Sequence, residues 1–337
     1  MEYLFDYLVF LGKAVTIVAA IVIVLVAITS AVMRQKFVED ERMEIKPLNR
    51  RFERLKEAVE NELMSPIALK MKYKKLRKEE KAKAKSEKKG EEEPEDKRRV
   101  YVLDFDGDIR ASGVSELREE VTAVLQVARP EDEVVVRLES PGGMVHSYGL
   151  AASQMARIRA AGIPLTAAVD KVAASGGYMM ACTADKIISA PFAIIGSIGV
   201  VAQIPNFHKV LKKHDIDYEM ITAGEHKRTL TMFGENTDSS RAKFREEIEE
   251  THELFKSFIS EHREQVDVSQ VATGEHWYGQ QAIDLNLVDE LQTSDDYLLN
   301  ASKESDLYQI KYHGKKPLME KIMGNATKVW ERMNSRW

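Results

Sequence analysis

Residues 99–312 predict an α/β domain built on a largely parallel sheet. Two observations carry that expectation: short apolar runs alternate with stretches of helical periodicity, and glycine-rich turns fall where two of those runs end. Taken in order, 100–105 reads as a strand, 115–128 as a helix, 134–138 as a strand and 148–161 as a helix. The run 164–169 is the next strand, followed by a turn at Ser175, a helix, and a short strand at 187–189. Further on, 218–221 reads as a strand. Residues 239–262 place Phe244, Ile248, Leu254 and Phe258 in a long helical pattern. Trp277 and Tyr278 open a compact region ending near Leu291, with core packing as the default reading and substrate lining as the alternative.

The chain has 337 residues, 44% of them hydrophobic, which suffices for a sizeable core and excludes an intrinsically disordered protein. Its net charge of -5 conceals an asymmetry, because 70–89 is rich in lysine while 91–96 is acidic. No general affinity for nucleic acid follows from that total. The single cysteine, Cys182, rules out an internal disulfide framework and reads as a small buried hydrophobe rather than a reactive thiol.

Residues 15–32 carry no charge, and apolar character extends back to Leu8 with only Lys13 interrupting. Such a stretch is long enough to span a bilayer as a helix, so 8–33 is expected to be a transmembrane anchor. It is expected to be uncleaved, since Met33, Arg34, Gln35 and Lys36 follow directly where a cleavage site would need small residues. Arg34, Lys36, Arg42 and Lys46 after the span would keep the rest of the chain in the cytoplasm. A charged linker is expected over 34–98, with one amphipathic stretch at Phe52, Leu55, Val59 and Leu63; docking of its basic run on anionic lipid is the alternative to a solvated spacer. At the other end, 313–337 places Leu318, Ile322, Ala326, Val329, Trp330 and Met333 on one face of an amphipathic helix suited to a neighbouring subunit or a membrane surface.

The chemistry centres on Ala174-Ser175-Gly176-Gly177-Tyr178. A serine between small residues at a strand-to-helix turn exposes its hydroxyl where a helix N-terminus favours developing negative charge. Upstream, Ser140-Pro141-Gly142-Gly143 ends another strand and offers unshielded backbone N–H groups, which suggests an oxyanion hole facing a nucleophile. A serine hydroxyl needs a base. None of the eight histidines announces itself, His146, His208, His214 and His226 all reading as surface imidazoles. Lys227 differs in context, lying in a loop of Gly224, Glu225, His226 and Lys227.

These segments, with Gly196-Ser197-Ile198-Gly199-Val200, resemble the ordered motifs of the signal peptide peptidase A family of serine-lysine peptidases over about 100–291, and the layout of anchor, linker and catalytic domain is closest to its SohB branch. The resemblance implies a ClpP/crotonase-like fold of repeated ββα units, with Ser175 as nucleophile, Lys227 as general base and Ser197 orienting the lysine. Gly143 and Gly176 would supply the oxyanion N–H groups, Gly143 being preferred to Gly142. It implies hydrolysis of unfolded, membrane-derived or remnant signal peptides without metal or other cofactor. The expected setting is a bacterial inner membrane with the catalytic domain on the periplasmic side, opposite to the charge bias. A stomatin-like membrane protein is a partner by family analogy alone. A solvated lysine is protonated at neutral pH, so a lysine base must be covered. The cover is expected to include a neighbouring subunit, in a homo-oligomer with shared active sites. A crotonase-type acyl-CoA enzyme and an inactive membrane scaffold are the rival classes; neither needs the Ser175 hydroxyl.

Overall fold

The computed structural model describes residues 9–13, 15–18, 20–21, 24, 41–89, 97–224 and 226–314. Most of the expected anchor at 8–33, and the expected C-terminal helix beyond residue 314, lie outside them. Among the described residues no helix is long and apolar enough to cross a membrane.

Strands β1 (Arg42–Pro47), β2 (Arg99–Asp106), β3 (Glu133–Glu139), β4 (Leu165–Val169), β6 (Lys186–Ser189), β9 (Glu290–Leu291) and β10 (Asp306–His313) form one sheet, in the order β1-β10-β2-β3-β4-β6-β9. From β10 to β9 every neighbouring pair is parallel, in a register that sets Val102 beside Val135, Val136 beside Ala167 and Ala168 beside Ile188. A parallel sheet is covered on both faces, so its strands need unbroken apolar runs rather than alternation. Val134, Val135, Val136 and Leu138 meet that need, none being more than 2% exposed. Helices α3 (Val114–Leu125) and α4 (Val145–Ala160) are the crossovers between β2, β3 and β4. Leu117, Val121 and Val124 form the buried stripe of α3, and Tyr148, Ala152, Met155 and Ile158 that of α4.

A second, three-stranded sheet branches from the first. Strand β5 (Val172–Ala174) pairs in parallel with β7 (Ile194–Gly196), which pairs antiparallel with β8 (His276–Tyr278). The six-residue helix α5 (Gly176–Ala181) follows β5 and is buried throughout. Trp277 belongs to the packing rather than to an open surface: its ring lies over Gly196, where an added Cβ would come within 2.8 Å of it.

Two expectations require revision. Residues 218–221 form no strand, and Ile221 is 96% exposed. An isolated extended run has nothing to pair its N–H and C=O groups with, and Tyr218 tilts its ring against Phe233 at 5.8 Å instead. The segment expected to be linker is also structured. Residues 48–63 form α1 (Leu48–Leu63) and 66–89 form α2 (Pro66–Lys89), which contains the basic run 81–85. Leu48 joins Val100, Val102, Val135 and Leu307 in a core cluster against which Phe52 packs, so the compact unit 44–311 begins well before residue 99. The second unit, 1–43 with 312–337, lies mostly outside the described residues.

Helix α6 (Asp238–His262) starts at Thr237, whose hydroxyl accepts from Ser240 N, and buries Phe255 and Ile259 near its other end. Directly after it, Arg263 is 2% exposed and donates to both Asp289 carboxylate oxygens at 2.8 Å and to Asn286 O at 2.9 Å. Removing one partner of a buried ion pair strands the other charge. Asp289→Ala is therefore expected to lower the unfolding free energy by about 3 kcal/mol. Urea titration followed by circular dichroism measures it; a midpoint equal to that of the wild type refutes the assignment.

Candidate active site

The carboxyl end of β3 is stitched to the strand that delivers Ser175. Ser140 N donates to Val172 O at 2.8 Å and Ala174 N donates to Ser140 O at 3.0 Å, a parallel bridge that holds the Pro-Gly-Gly loop beside β5. The loop is pressed directly on the elbow. At Gly142, φ is +87°, and an added Cβ would stand 2.7 Å from Gly176 N and 2.8 Å from Ser175 Cβ. No residue larger than glycine fits.

Ser175 itself has φ 51° and ψ −117°, outside the regions that side-chain-bearing residues favour. Holding a serine there costs of the order of 1–3 kcal/mol and is typical of residues presented for chemistry. Its N–H donates to Gly196 O at 2.7 Å, its side chain is half-buried, and its hydroxyl has no hydrogen-bond partner among the described residues. The β5–β7 register, Ala174 beside Gly196, brings Ser197 next to it. Ser197 is also left-handed, with φ 51°, and is fixed by its N–H on Glu275 O at 2.7 Å.

The two glycines expected to supply the oxyanion N–H groups, Gly143 and Gly176, differ in their surroundings. Gly142 N is already engaged with Ser140 Oγ at 3.1 Å, whereas Gly143 N has no partner among the described residues. Gly176 opens α5, where an N–H has no intrahelical acceptor. Both positions are sterically closed to side chains. A Cβ on Gly143 would meet Ile109 O at 2.1 Å, and one on Gly176 would meet the Tyr148 ring at 2.4 Å.

Tyr148 and Ser140 carry a supporting network that sequence reasoning missed. Hydrogen bonds run from Gly142 N to Ser140 Oγ, from Ser140 Oγ to Tyr148 Oη at 2.6 Å, and from Tyr148 Oη to Asp108 O at 2.8 Å. Burial pushes the Tyr148 phenol above its ordinary pKa and so keeps it a donor. Asp108 anchors the adjoining turn through the N–H groups of Arg110 and Ser112; the Ser112 N–H is the main cause of its depressed carboxyl pKa. The available signal was Gly107, where a Cβ would stand 2.5 Å from both Ser140 Oγ and Tyr148 Oη.

Lys227 stands in different surroundings from Ser175. It is exposed in an irregular loop, its N–H on Gly224 O at 3.2 Å, and no hydrogen bond joins it to Ser175 or Ser197 among the described residues. It lines a cleft of about 870 Å³ with Tyr218, Met220, Met232 and Phe233, and Ser175 is not part of that wall. The histidines do not replace it: His146, His214 and His226 are exposed, His208 is half-buried, and none bonds to Ser175 among the described residues. Cys182 is buried, with its thiol pushed up by desolvation, and belongs to the core.

Residues 2–155 match the family described as peptidase family S49 N-terminal, and 157–308 match peptidase family S49. A probable protease SohB of Haemophilus influenzae is 63% identical over 70% of this chain and 67% of its own. Another of that description, from Buchnera aphidicola subsp. Schizaphis graminum, is 46% identical over 95% and 93% of the two chains. A solved structure of a 1510-N membrane-bound stomatin-specific protease mutant with a substrate peptide covers 69% of this chain and 99% of its own, at 13% identity and a TM-score of 0.41, too distant to carry an argument. With the two matches together spanning nearly the whole sequence, the chain belongs to peptidase family S49.

Proposed function

We propose that this peptidase is a membrane-anchored serine endopeptidase of ClpP/crotonase-like fold in which Ser175 is the nucleophile and Lys227 the general base. Ser197 orients the lysine amine, and the N–H groups of Gly143 and Gly176 hold the oxyanion. The observation that carries the reading is the strained left-handed backbone of Ser175 pressed against a glycine loop with an N–H unengaged among the described residues. An acyl-CoA enzyme or an idle scaffold has no use for a hydroxyl held at that cost.

In the reaction, neutral Lys227 takes the Ser175 proton as Oγ bonds to the peptide carbonyl carbon, and the Gly143 and Gly176 N–H groups stabilise the oxyanion. Protonated Lys227 gives its proton to the leaving amine as the C–N bond breaks. Water, deprotonated by the same lysine, then releases the acyl group and regenerates Ser175. The chemistry needs no metal or cofactor.

The substrates are unfolded, membrane-derived or remnant signal peptides at a bacterial inner membrane, with 8–33 as anchor. Family resemblance favours a periplasmic catalytic domain; the charge bias after the span favours a cytoplasmic one. A stomatin-like partner rests on family analogy alone. The amine of Lys227 needs a cover that a single protomer does not supply, so the working form is a homo-oligomer in which Ser175 and Lys227 meet across subunits.

A peptidyl phosphonate tests the nucleophile. Incubated with the assembled protein, it is expected to leave one covalent adduct on Ser175 by peptide mass mapping, and none on Ser175→Ala. A folded, assembled protein that hydrolyses peptides yet carries no label on Ser175 defeats the reading.

A further inference from the structure

The apolar stripe of α1 does not end where the domain does. Leu48 and Phe52 dock on the core, and the same helical face continues as Leu55, Val59 and Leu63, which are 57%, 60% and 81% exposed. On α2, past the junction, Ile67 and Met71 are also apolar and open, 76% and 68% exposed. The two helices are tied together there by the Lys72–Glu60 ion pair and by Asn61 Nδ2 donating to Tyr73 Oη at 3.2 Å.

The charge beside this stripe is one-sided. Between Pro66 and Lys89 eleven lysines and arginines stand against three glutamates, a net +8 in a chain whose total is -5. Lys70, Lys74, Arg77 and Lys78 are exposed. A second copy seated here would bring two strongly positive helices together, which like-charge repulsion opposes. Exposed apolar side chains flanked by lysines, whose long stems let the ammonium groups rise while the chain beneath is buried, instead match a bilayer interface rich in anionic headgroups.

We propose that the outer face of α1 and α2 docks on an anionic lipid surface, with Leu55, Val59, Leu63, Ile67 and Met71 entering the interface and Lys70, Lys74 and Lys78 pairing with headgroup phosphates. The inference is independent of the Ser175–Lys227 reading and of whether 8–33 spans the bilayer. Docking of this kind sets the height and tilt of the peptidase unit above the membrane, which an anchor and a loose spacer alone leave free.

Full-length Leu63→Cys labelled with the fluorophore NBD provides the test, since buried Cys182 stays unlabelled. The protein is placed on vesicles of phosphatidylcholine alone, or of phosphatidylcholine and phosphatidylglycerol in equal parts. A blue shift and brighter emission are expected on the anionic vesicles, weakening at high salt. Replacing Lys70, Lys74 and Lys78 by glutamine in that background should lower the ratio of docked to free face about a hundredfold, at about fivefold for each lysine, while cleavage of a soluble peptide is unchanged. An unchanged spectrum on anionic vesicles overturns the proposal. So does a shift on uncharged vesicles that grows with protein density, which assigns the face to a second copy, or an equal shift with soluble polyglutamate, which assigns it to an acidic protein.

Discussion

Ser175→Ala and Lys227→Ala chains, each expected to lose about four to six orders of magnitude in kcat when assembled alone, are expected to regain activity when co-assembled. The argument starts from exposure. Lys227 lies in an open loop with Ile221 96% and Val201 81% exposed in the surrounding segment, so its amine is hydrated in the lone protomer. A hydrated ammonium has no lone pair to offer, and only desolvation or a neighbouring positive charge lets it serve as a base. A second copy laid over the 201–233 segment would bury those apolar side chains and the amine together. With head-to-tail seams and equal mixing, a site works only where an intact Ser175 meets an intact Lys227, which yields about a quarter of wild-type activity per chain. Activity is read on an unfolded peptide after the mixed assembly has been verified by differential tagging. Verified mixed assemblies that stay inactive place the pair within one chain or remove Lys227 from the chemistry.

Gly143→Ala should lower kcat by about two to three orders of magnitude with little change in KM, the size expected for losing one oxyanion donor. An alanine Cβ would lie 2.1 Å from Ile109 O, a backbone atom held by the Asp108 turn and by its own bond from Met144 N, so the glycine loop must move rather than its neighbour. On the proposed mechanism, that movement carries the Gly143 N–H away from the oxyanion. Gly149→Ala is the matched control. It sits inside α4 with nothing within 4 Å of the added methyl, and is expected to keep full activity and gain up to about 1 kcal/mol of stability. Steady-state kinetics and thermal melts on both variants decide the matter; wild-type kcat in a folded Gly143→Ala protein removes this N–H from the mechanism.

The parallel strands were legible because burial on both faces writes itself as uninterrupted valine, isoleucine and leucine, as in 134–138. The two loops of the site were legible for a related reason: close backbone approach demands glycine, and Gly142, Gly143 and Gly176 each have an atom inside the volume of a Cβ. What could not be seen was anything set by pairing between short segments. Strands β5, β7 and β8 have three residues each, too few for a periodicity, yet their register is what lays Ser197 beside Ser175. The role of Tyr148 within its helix was hidden, since the acceptor of its hydroxyl, Asp108 O, lies forty residues away in the chain. Strand β10 escaped notice because it is mixed in character, with Leu307 and Ile310 buried among polar neighbours. Its place between β1 and β2 is fixed by Asn49, which accepts from Leu307 N and donates to the carbonyls of Ser302 and Ser305.

On the shared-seam reading, each newly made polypeptide is a zymogen whose activation takes a second copy. Hydrolytic power then rises steeply with local abundance, because dilute molecules idle and crowded ones switch on. A cell could hold such an enzyme harmless simply by keeping it sparse, and any device that gathers copies into one patch of membrane would serve as its trigger.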